Sequence, residues 1–437
     1  MDRRRFLSLC AAAAAPSGRL SPAGLRAAAR DAWLYALPLV EIGAFRSRQF
    51  ERGVTPNRLA PQRRLSTPAS RDVTTPNVDT LYSGALLDLR KGPIAITLPA
   101  TGARYVSLAL LDMYSNNFAV LGSRTTGPNG ARVLLVGPEQ PAPAGALRSP
   151  TPWVWALIRV FVDGPDDLAA AHQVQDAFGL EAASGPPDCV SVEPNLRSGP
   201  WTAYFQAAQA LILENPPPVT DAAFFEQTAS LGLSPQGGFD AARFTPAEAR
   251  EIEAGVEEAR ALCRNPSLGV TPIAGWSYQA ANTGAFGQDY RYRARIALSG
   301  LAALPQAEAM YMAAVAPDGQ SSFDAASRWR LSFAPGATPP VDAFWSLTLY
   351  GLTADGQAFL VDNPASRYAI GGSTPGLTFN GDGSLDLWIQ SDAPPPARRS
   401  NWLPAPSAGR FGLLMRAYLP TAEFQARAYV MPPVRRA

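Results

Sequence analysis

Two carboxylates are the candidates for catalysis in this sequence, Asp79 and Asp112. Asp79 lies in a loop of Pro and Asn residues that enters a predicted strand, and Asp112 follows the end of another predicted strand. We therefore expect both carboxyl groups at one rim of a β-sandwich, where one can donate a proton while the other activates water. The alternative is that both carboxylates fix turns by accepting hydrogen bonds from backbone N–H groups.

Polar and aromatic side chains close to these acids in sequence are candidates for substrate binding. Flat rings stack on sugar rings and amides bond to hydroxyl groups, so these side chains can form a carbohydrate platform. They can equally form a polar corner that holds the first helix against the sheet. The candidates near the acids are Asn77, Tyr82, Tyr114 and Asn117.

Four further residues that could contact a ligand lie on predicted strands or loops beyond the acids. Arg159 shares one face of a strand at residues 153–162 with aromatic residues, which makes it a partly buried charge that needs a partner. Trp345 and Trp402 supply aromatic surface, although tryptophans are also common in sandwich cores. Arg416 alternates with apolar residues of its strand and so faces away from the core, toward an ion pair or a ligand.

The basic residues and the single histidine exclude several classes of enzyme. Of the 38 basic residues, Lys91 is the only lysine, and His172 is the only histidine. A histidine zinc site, a Ser-His-Asp triad and pyridoxal phosphate chemistry need such residues at suitable places. We therefore expect no metal and no cofactor. The basic residues form no cluster and the formal net charge is +2, so no nucleic-acid partner is expected.

The first residues have the pattern of an export signal. Residues 3–7 read RRRFL, which matches the twin-arginine pattern, and a short apolar stretch follows to residue 15. We expect a signal at residues 1–20 and a periplasmic or secreted mature protein. No segment approaches the roughly 20 apolar residues that a membrane span requires, so none is expected. Outside the signal, Cys189 and Cys263 form either one disulfide or two buried free thiols.

Hydrophobic periodicity predicts a mainly β chain with helical insertions. The 42 Pro and 36 Gly residues are spread along the chain without a period, which favours short strands joined by turns. Alternating apolar and polar residues predict two antiparallel β-sandwich domains. The predicted strands include residues 94–98, 105–111, 133–136, 153–162, 344–350, 385–390 and 411–419. The predicted helices are residues 21–37, 166–178, 201–214, 221–231 and 245–263, the last opened by a capping box.

The expected organisation has four parts. Residues 1–20 form the export signal, residues 21–165 a helix and the first sandwich, residues 166–289 a mostly helical connecting region, and residues 290–437 the second sandwich. We also expect the polar motifs at residues 75–83 and 401–404 to meet at the interface between the two sandwiches.

Three motifs carry a family resemblance: TPNVDTLYS at residues 75–83, FWSLTLY at residues 344–350 and NWLP at residues 401–404. With them the chain resembles bacterial proteins that pair domain of unknown function 1254 with a C-terminal domain of unknown function 1214. The resemblance implies two sandwiches of jelly-roll type, a fold likeness that extends to peptide N-glycosidase F and viral capsid proteins, but no established activity. Val78 stands where the family commonly has arginine, and residues 317–330 lack the usual Leu-x-Gly. Both departures weaken the transfer of a ligand site.

These features lead to two hypotheses about function. In the first, an exported protein binds or hydrolyses a glycan or similar polar envelope ligand in a cleft between the domains. If it is an enzyme, Asp79 and Asp112 are the acid and base of a metal-independent, glycosidase- or amidase-like hydrolase. The alternative is a non-catalytic binding or assembly protein with a capsid-like double sandwich, which would be compatible with a homo-oligomer. Carboxyl groups more than about 10 Å apart would exclude the acid–base version.

Overall fold

The computed structural model describes residues 21–71, 74–353 and 357–437. The export signal predicted at residues 1–20 therefore lies outside the described residues. Within them the α-helices, α1 to α7 in chain order, are Pro22–Glu51, Leu168–Asp176, Trp201–Glu214, Ala222–Gln227, Pro246–Arg264, Tyr290–Ser299 and Ala422–Gln425. The strands, β1 to β21 in chain order, are Ala60–Pro61, Thr80–Asp88, Ile94–Leu98, Val106–Leu111, Asn117–Gly122, Ala131–Val136, Leu147–Arg148, Trp153–Phe161, Gly179–Glu181, Val270–Ile273, Trp276–Gln279, Ala309–Ala314, Phe323–Asp324, Trp329–Phe333, Val341–Leu352, Ala358–Phe359, Ala369–Gly371, Leu385–Gln390, Trp402–Pro404, Arg410–Pro420 and Arg435–Arg436.

The described strands form four open sheets. The first has the order β1-β2-β8-β4-β5, and the second has the order β7-β6-β3-β9. The third has the order β10-β11-β12-β20-β15-β16, with β13 paired to β20 and β17 paired to β15, and the fourth has the order β19-β18-β14-β21. Neighbouring strands are antiparallel except in the pairs β6–β7 and β18–β19, which are parallel.

The sheets pack in two pairs, each around its own apolar core. Ile158 of the first sheet and Ile96 of the second belong to one buried cluster, and Met415 of the third and Leu387 of the fourth belong to another. The opposite face of the first sheet is covered by α1, α3 and α5, whose apolar residues form a third cluster with it. The chain therefore has two sheet pairs and a helical layer packed on the first.

The predicted fold class is confirmed in part. Helix accounts for 28% of the described residues and strand for 26%, so the fold is mixed α/β where the sequence predicts a mainly β protein. The helical share is larger because α1 is longer than its pattern suggests. None of the sheets in the described residues closes into a barrel. The jelly-roll connectivity implied by the family resemblance stays a prediction.

Helix α1 begins where the sequence predicts and ends much later. Ser21 caps it by accepting a hydrogen bond from the Gly24 N–H, at 3.2 Å, and Pro22 occupies the first turn. The helix was expected to end at residue 37, before Pro38, but it continues to Glu51. Proline removes one backbone hydrogen bond, whereas α1 packs on α3, α5 and α6 along its length. Tertiary packing therefore overrides the local signal.

Several other predictions hold at the level of single elements. The strands at residues 94–98 and 385–390 and the helix at residues 201–214 have the predicted bounds. The capping box is confirmed, because Thr245 and Glu248 exchange hydrogen bonds at the start of α5. The third sheet, however, takes β10 and β11 from the region predicted as a helical connector. Where the β-rich second half was expected to begin, the chain forms α6.

Candidate functional site

The face of the first sheet that looks toward the helices is covered at its two ends and left partly open between them. Trp155 and neighbouring residues of β8 pack on α1, and Phe161 at the other end packs on Phe344 of the third sheet, with ring centroids 4.1 Å apart. Between these ends Tyr82, Gly84 and Leu157 are only half-buried. We call the surface formed by Tyr82, Gly84, Leu157 and Arg159 the recess.

Strand register brings the recess together. Tyr82 on β2 lies directly opposite Arg159 on β8, and Gly84 lies opposite Leu157. Directly opposed residues on one face of an antiparallel pair are in side-chain contact. The Arg159 guanidinium accordingly lies 5.4 Å from the centre of the Tyr82 ring. A side chain placed on Gly84 would point into open space, since its Cβ would approach only Trp155 Nε1, at 3.9 Å.

Arg159 is a buried cation whose hydrogen-bonding capacity is largely unused. Its exposed fraction is 5%. Nη2 donates to the Ala302 carbonyl at 2.9 Å, whereas Nη1 is buried without a partner. Among the described residues Arg159 forms no ion pair, and its near neighbours are tyrosines, including Tyr311 and Tyr418. A guanidinium taken out of water without a carboxylate is costly to bury, so this charge marks a place where an acceptor is missing.

Asp79 lies at the rim of the recess, at the interface between the two sheet pairs. It is half-buried, and its Oδ2 accepts a hydrogen bond of 2.6 Å from the Ser346 hydroxyl of β15. Its backbone N–H donates to the Asn77 side chain at 2.6 Å, an Asx turn. Burial raises the pKa of Asp79, while the Ser346 hydrogen bond and the charge of Arg416 act in the opposite direction.

The loop that precedes β2 is tied to the third sheet by hydrogen bonds. Arg416 Nη2 donates to the Thr75 carbonyl, and the Tyr350 hydroxyl donates to the Pro76 carbonyl, each at 2.8 Å. The Asn77 amide donates to the Tyr418 hydroxyl at 2.6 Å. Four of the five residues 75–79, counting the bond at Asp79, therefore fix one sheet pair on the other. Both polar atoms of the Asn77 amide therefore have partners within the protein, Tyr418 for the nitrogen and the Asp79 N–H for the oxygen.

Asp79 and Asp112 do not share a site. The Asp79 carbonyl accepts from the N–H of Val162, whereas Leu111, just before Asp112, pairs with Trp155. Val162 comes seven residues after Trp155, a separation of roughly 23 Å at about 3.3 Å per residue. The prediction that the two carboxylates act as a pair at one rim is therefore wrong, because the strands β2 and β4 run parallel and present these residues at opposite ends of the sheet.

The environment of Asp112 is that of a turn-stabilising group. Its Oδ1 accepts backbone hydrogen bonds from Tyr114 and Asn116, both at 2.9 Å, and Oδ2 accepts from the Asn116 amide at 3.2 Å. Burial raises the pKa of Asp112 to about 6, against these hydrogen bonds and the charge of Arg293, which lower it. The alternative proposed for Asp112, a carboxylate that fixes a turn, agrees with this geometry.

Tyr114 and Asn117 also lie away from the recess. The buried Tyr114 donates its hydroxyl to the Asn215 carbonyl at 2.8 Å. The Asn117 amide donates to the carbonyls of Gly284 and Ala303, both at 2.9 Å, and so joins β5 to the loops that flank α6. Both residues hold elements together, but their hydrogen bonds go to the residue after α3 and to the loops that flank α6, and not to the first helix as the polar-corner alternative has it.

Trp345 and Trp402 belong to the second sheet pair. Trp345 packs against Phe333 in its core, with ring centroids 5.5 Å apart. Trp402 donates its indole N–H to the Gln390 carbonyl at 2.8 Å. Asn401 donates to the Thr378 carbonyl and so ties the second motif to its own sheet. The expected meeting of residues 75–83 and 401–404 is therefore wrong, since only the first motif lies at the interface.

Arg293 of α6 is a second buried cation, which the sequence did not single out. Its guanidinium lies 5.0 Å from the ring centres of Tyr35 and Tyr290 and 5.5 Å from that of Tyr114. The hydroxyls of Tyr35 and Tyr290 donate to Asp221 at 2.8 and 2.9 Å. The rings stabilise the charge by cation–π contact, and apart from the half-buried Tyr290 the cluster is buried where α1 and α6 pack together. We assign it to the packing of the helical layer.

Other residues of the site were also missed by the sequence analysis. Ser346, Tyr311 and Tyr418 lie near Asp79, Tyr82 or Arg159 only because the third sheet packs on the first. The alternation along β20 predicts that the Arg416 side chain points away from the apolar core, and this prediction is confirmed. No local pattern predicts that the first motif would meet it.

The described residues contain no group of three or more His, Cys, Asp or Glu side chains that could hold a metal ion. Cys189 is half-buried and Cys263 buried, and both are free thiols. Across residues 21–71, 74–353 and 357–437, no helix has the length and apolar character needed to cross a bilayer.

Two regions of the chain match family models. Residues 56–182 match the family model described as protein of unknown function (DUF1254), and residues 308–422 match the one described as protein of unknown function (DUF1214). The chain therefore belongs to the proteins that carry these two domains in this order, as its motifs predict.

A solved structure shares the fold. The VPA0106 protein from Vibrio parahaemolyticus is similar over 95% of this chain and 100% of its own, with a TM-score of 0.71 and 21% sequence identity. An uncharacterized protein from Burkholderia cenocepacia aligns over 92% of this chain and 87% of its own, at 13% identity and a TM-score of 0.45. None of the curated proteins matches the chain.

Proposed function

We propose that this protein binds a short, hydroxyl-rich, ring-containing ligand of the glycan type in the recess. The observation that carries the proposal is the opening over Gly84, in a sheet face that is otherwise covered, beside the buried and under-bonded guanidinium of Arg159. Pockets for small molecules combine apolar or aromatic walls with a few polar groups that converge on the ligand.

The side chains around the opening suit a sugar ring. Tyr82 offers a half-buried aromatic face, and Trp155 points its indole nitrogen toward the space above Gly84. Asp79 at the rim has a second carboxylate oxygen available to accept from a ligand hydroxyl, since its hydrogen bond to Ser346 uses only Oδ2. Aromatic faces with nearby donors and acceptors form the usual combination for recognising a ring that carries hydroxyl groups.

Binding without hydrolysis is the function that this geometry supports. Hydrolysis by two carboxylates needs a partner within about 10 Å of Asp79, and Asp112 lies at the far end of the sheet. The proposal therefore keeps the glycan-like ligand and the position between the sheet pairs, and gives up the glycosidase- or amidase-like mechanism with these two acids.

The twin-arginine pattern at residues 3–7 supports the further proposal that the protein is exported to the periplasm or beyond. A fusion of residues 1–20 to a reporter that folds before transport should reach the periplasm. Replacing both arginines, Arg3→Lys and Arg4→Lys, should stop it, and continued export of that variant would contradict the proposal.

The proposed function is tested by closing the recess. Gly84→Leu should leave the free energy of unfolding within about 1 kcal/mol of the native value, because its side chain enters open space. It should weaken binding of a short oligosaccharide, measured by calorimetry on a panel of neutral and acidic sugars, by about tenfold or more. Gly381→Leu, at a turn where a Cβ meets nothing within 4 Å, is the matched control.

Two results would contradict the proposal. One is a stable Gly84→Leu variant that binds the same oligosaccharide as tightly as the native chain. The other is a native chain that binds no member of the panel, which would favour the alternative of an assembly protein. In that case the oligomeric state, measured by light scattering, becomes the informative property.

A further inference from the structure

Four arginines of the described residues are buried, and they differ in how their charges are compensated. Arg46 is paired with Glu214 at 2.7 Å. Arg416 donates to the hydroxyls of Thr348 and Tyr350 and to the Thr75 carbonyl. The negative charge of Asp79 also lies close enough to raise the pKa of Arg416. Arg293 also makes one hydrogen bond, to the Tyr35 carbonyl, and its Nε is buried without a partner, but its guanidinium is enclosed by three tyrosine rings. Arg159 has one hydrogen bond, to the Ala302 carbonyl.

We infer that the ligand of the recess carries a single carboxylate and that Arg159 binds it. The inference rests on the function proposed above and names the class of ligand. A planar guanidinium with free N–H groups matches a carboxylate geometrically, and such charge-assisted bonds are stronger than neutral ones. A neutral sugar would leave the buried charge of Arg159 without a counterion.

The charges around the recess favour one negative charge on the ligand over two. Two acidic residues act on this region. Asp79 acts on Tyr418 and Arg416. Glu308 accepts a hydrogen bond from the Tyr105 hydroxyl and is paired with Arg124, so that pair adds no net charge. The charges of Arg159 and Arg416 against that of Asp79 leave one positive charge uncompensated among these described residues. A dianion such as a phosphate would bring a second negative charge close to Asp79, whereas a carboxylate balances Arg159 alone.

The remaining polar groups favour a sugar acid over an aromatic acid. Asp79 and the Tyr82 hydroxyl can both accept hydrogen bonds, and an aromatic acid offers them no donor. A uronic acid supplies the carboxylate for Arg159, hydroxyl groups for Asp79 and a ring face for Tyr82. The class of ligand is therefore a uronate-containing oligosaccharide.

The test compares each uronate with its own methyl ester, which keeps the ring and the hydroxyl groups and removes the charge. Di- and trisaccharides that carry one uronate unit (galacturonate, glucuronate or mannuronate) and otherwise neutral sugars are titrated into the full chain by calorimetry. We expect an acid to bind about tenfold or more tightly than its ester. In Arg159→Gln, acid and ester should bind with similar affinity. Arg132→Gln, a variant of an exposed arginine paired with Glu181, should keep the native preference.

The outcomes separate the inference from the function on which it rests. If acid and ester bind equally to the native chain, the uronate inference is overturned and glycan binding stands. If no acid, ester or neutral sugar binds, the proposed function itself fails. Because the acid–ester comparison on the native chain uses no substitution, it decides the matter even if Arg159→Gln does not fold.

Discussion

Asp112 and Asp79 show how one residue type acquires different properties within the same sheet. Asp112 is buried and bonded to three N–H donors of its own turn, and its pKa is raised to about 6. Asp79 is half-buried, shares one oxygen with Ser346 and faces the recess. Each aspartate has an asparagine within four residues, Asn77 for Asp79 and Asn116 for Asp112, so the sequence could not tell them apart. The difference comes from what packs against each residue.

The raised pKa of Asp112 makes a prediction about stability at different pH values. A carboxyl group whose pKa is higher in the folded chain holds its proton more tightly there than in the unfolded chain. Its contribution to stability is therefore fully present below about pH 4 and is lost as the pH rises through about 6. Asp112→Asn does not titrate, so it should escape this loss.

The expected result is a difference that grows with pH. The free energy of unfolding of Asp112→Asn, minus that of the native chain, should rise by on the order of 2–3 kcal/mol between about pH 4 and about pH 7. Urea denaturation at several pH values measures it. Asp318→Asn, which alters an exposed turn aspartate, is the control. A difference that stays constant with pH would show that Asp112 does not retain its proton on folding.

At the level of elements, the close contact of α1 and α5 depends on one glycine. A Cβ on Gly255 would overlap the Arg26 carbonyl oxygen of α1 and crowd the Ala29 side chain at 3.1 Å. The helices can approach only because that atom is missing. A backbone carbonyl in a buried helix cannot move aside as a flexible side chain can, so the contact should be sensitive to substitution.

Gly255→Ala should therefore destabilise the chain, although alanine is the better helix former. We expect a loss of about 1–3 kcal/mol in the free energy of unfolding, the usual cost of overpacking a core. Thermal or urea denaturation measures it, with Gly381→Ala as the control at an open turn. An unchanged or higher stability would mean that α1 and α5 can move apart at little cost in free energy, so that their close contact is not essential to the helical layer.

Local patterns predict elements well and fail where packing decides. Alternation predicts the strands Ile94–Leu98 and Leu385–Gln390 at their observed bounds, and the capping box predicts the start of α5. The continuation of α1 beyond Pro38 is not readable from its own sequence, because contacts with other helices stabilise it. The strands at residues 270–279 have few residues each and join a sheet whose other members are remote in sequence.

Across the whole molecule, the candidate site depends on how the two sheet pairs meet. The motif at residues 75–79 was predictable as a polar segment fixed by tertiary contacts, and it lies at the interface. Its partners, Ser346 and Arg416 among them, come from strands more than 250 residues away in sequence. Arg159 was identified as a buried charge in need of a partner. The opening over Gly84 could not be predicted, since a glycine within a strand can mark a bulge, a bend or a ligand site.

Our central claim is that the recess is a ligand site organised by Arg159. Its most direct test is a crystal structure of the chain with a bound trisaccharide that carries one uronate unit. We predict electron density over Gly84, with a ligand carboxylate within hydrogen-bonding distance of the Arg159 guanidinium and a sugar ring against Tyr82. An ordered ligand elsewhere on the molecule, with the recess empty at saturating concentration, would contradict the claim.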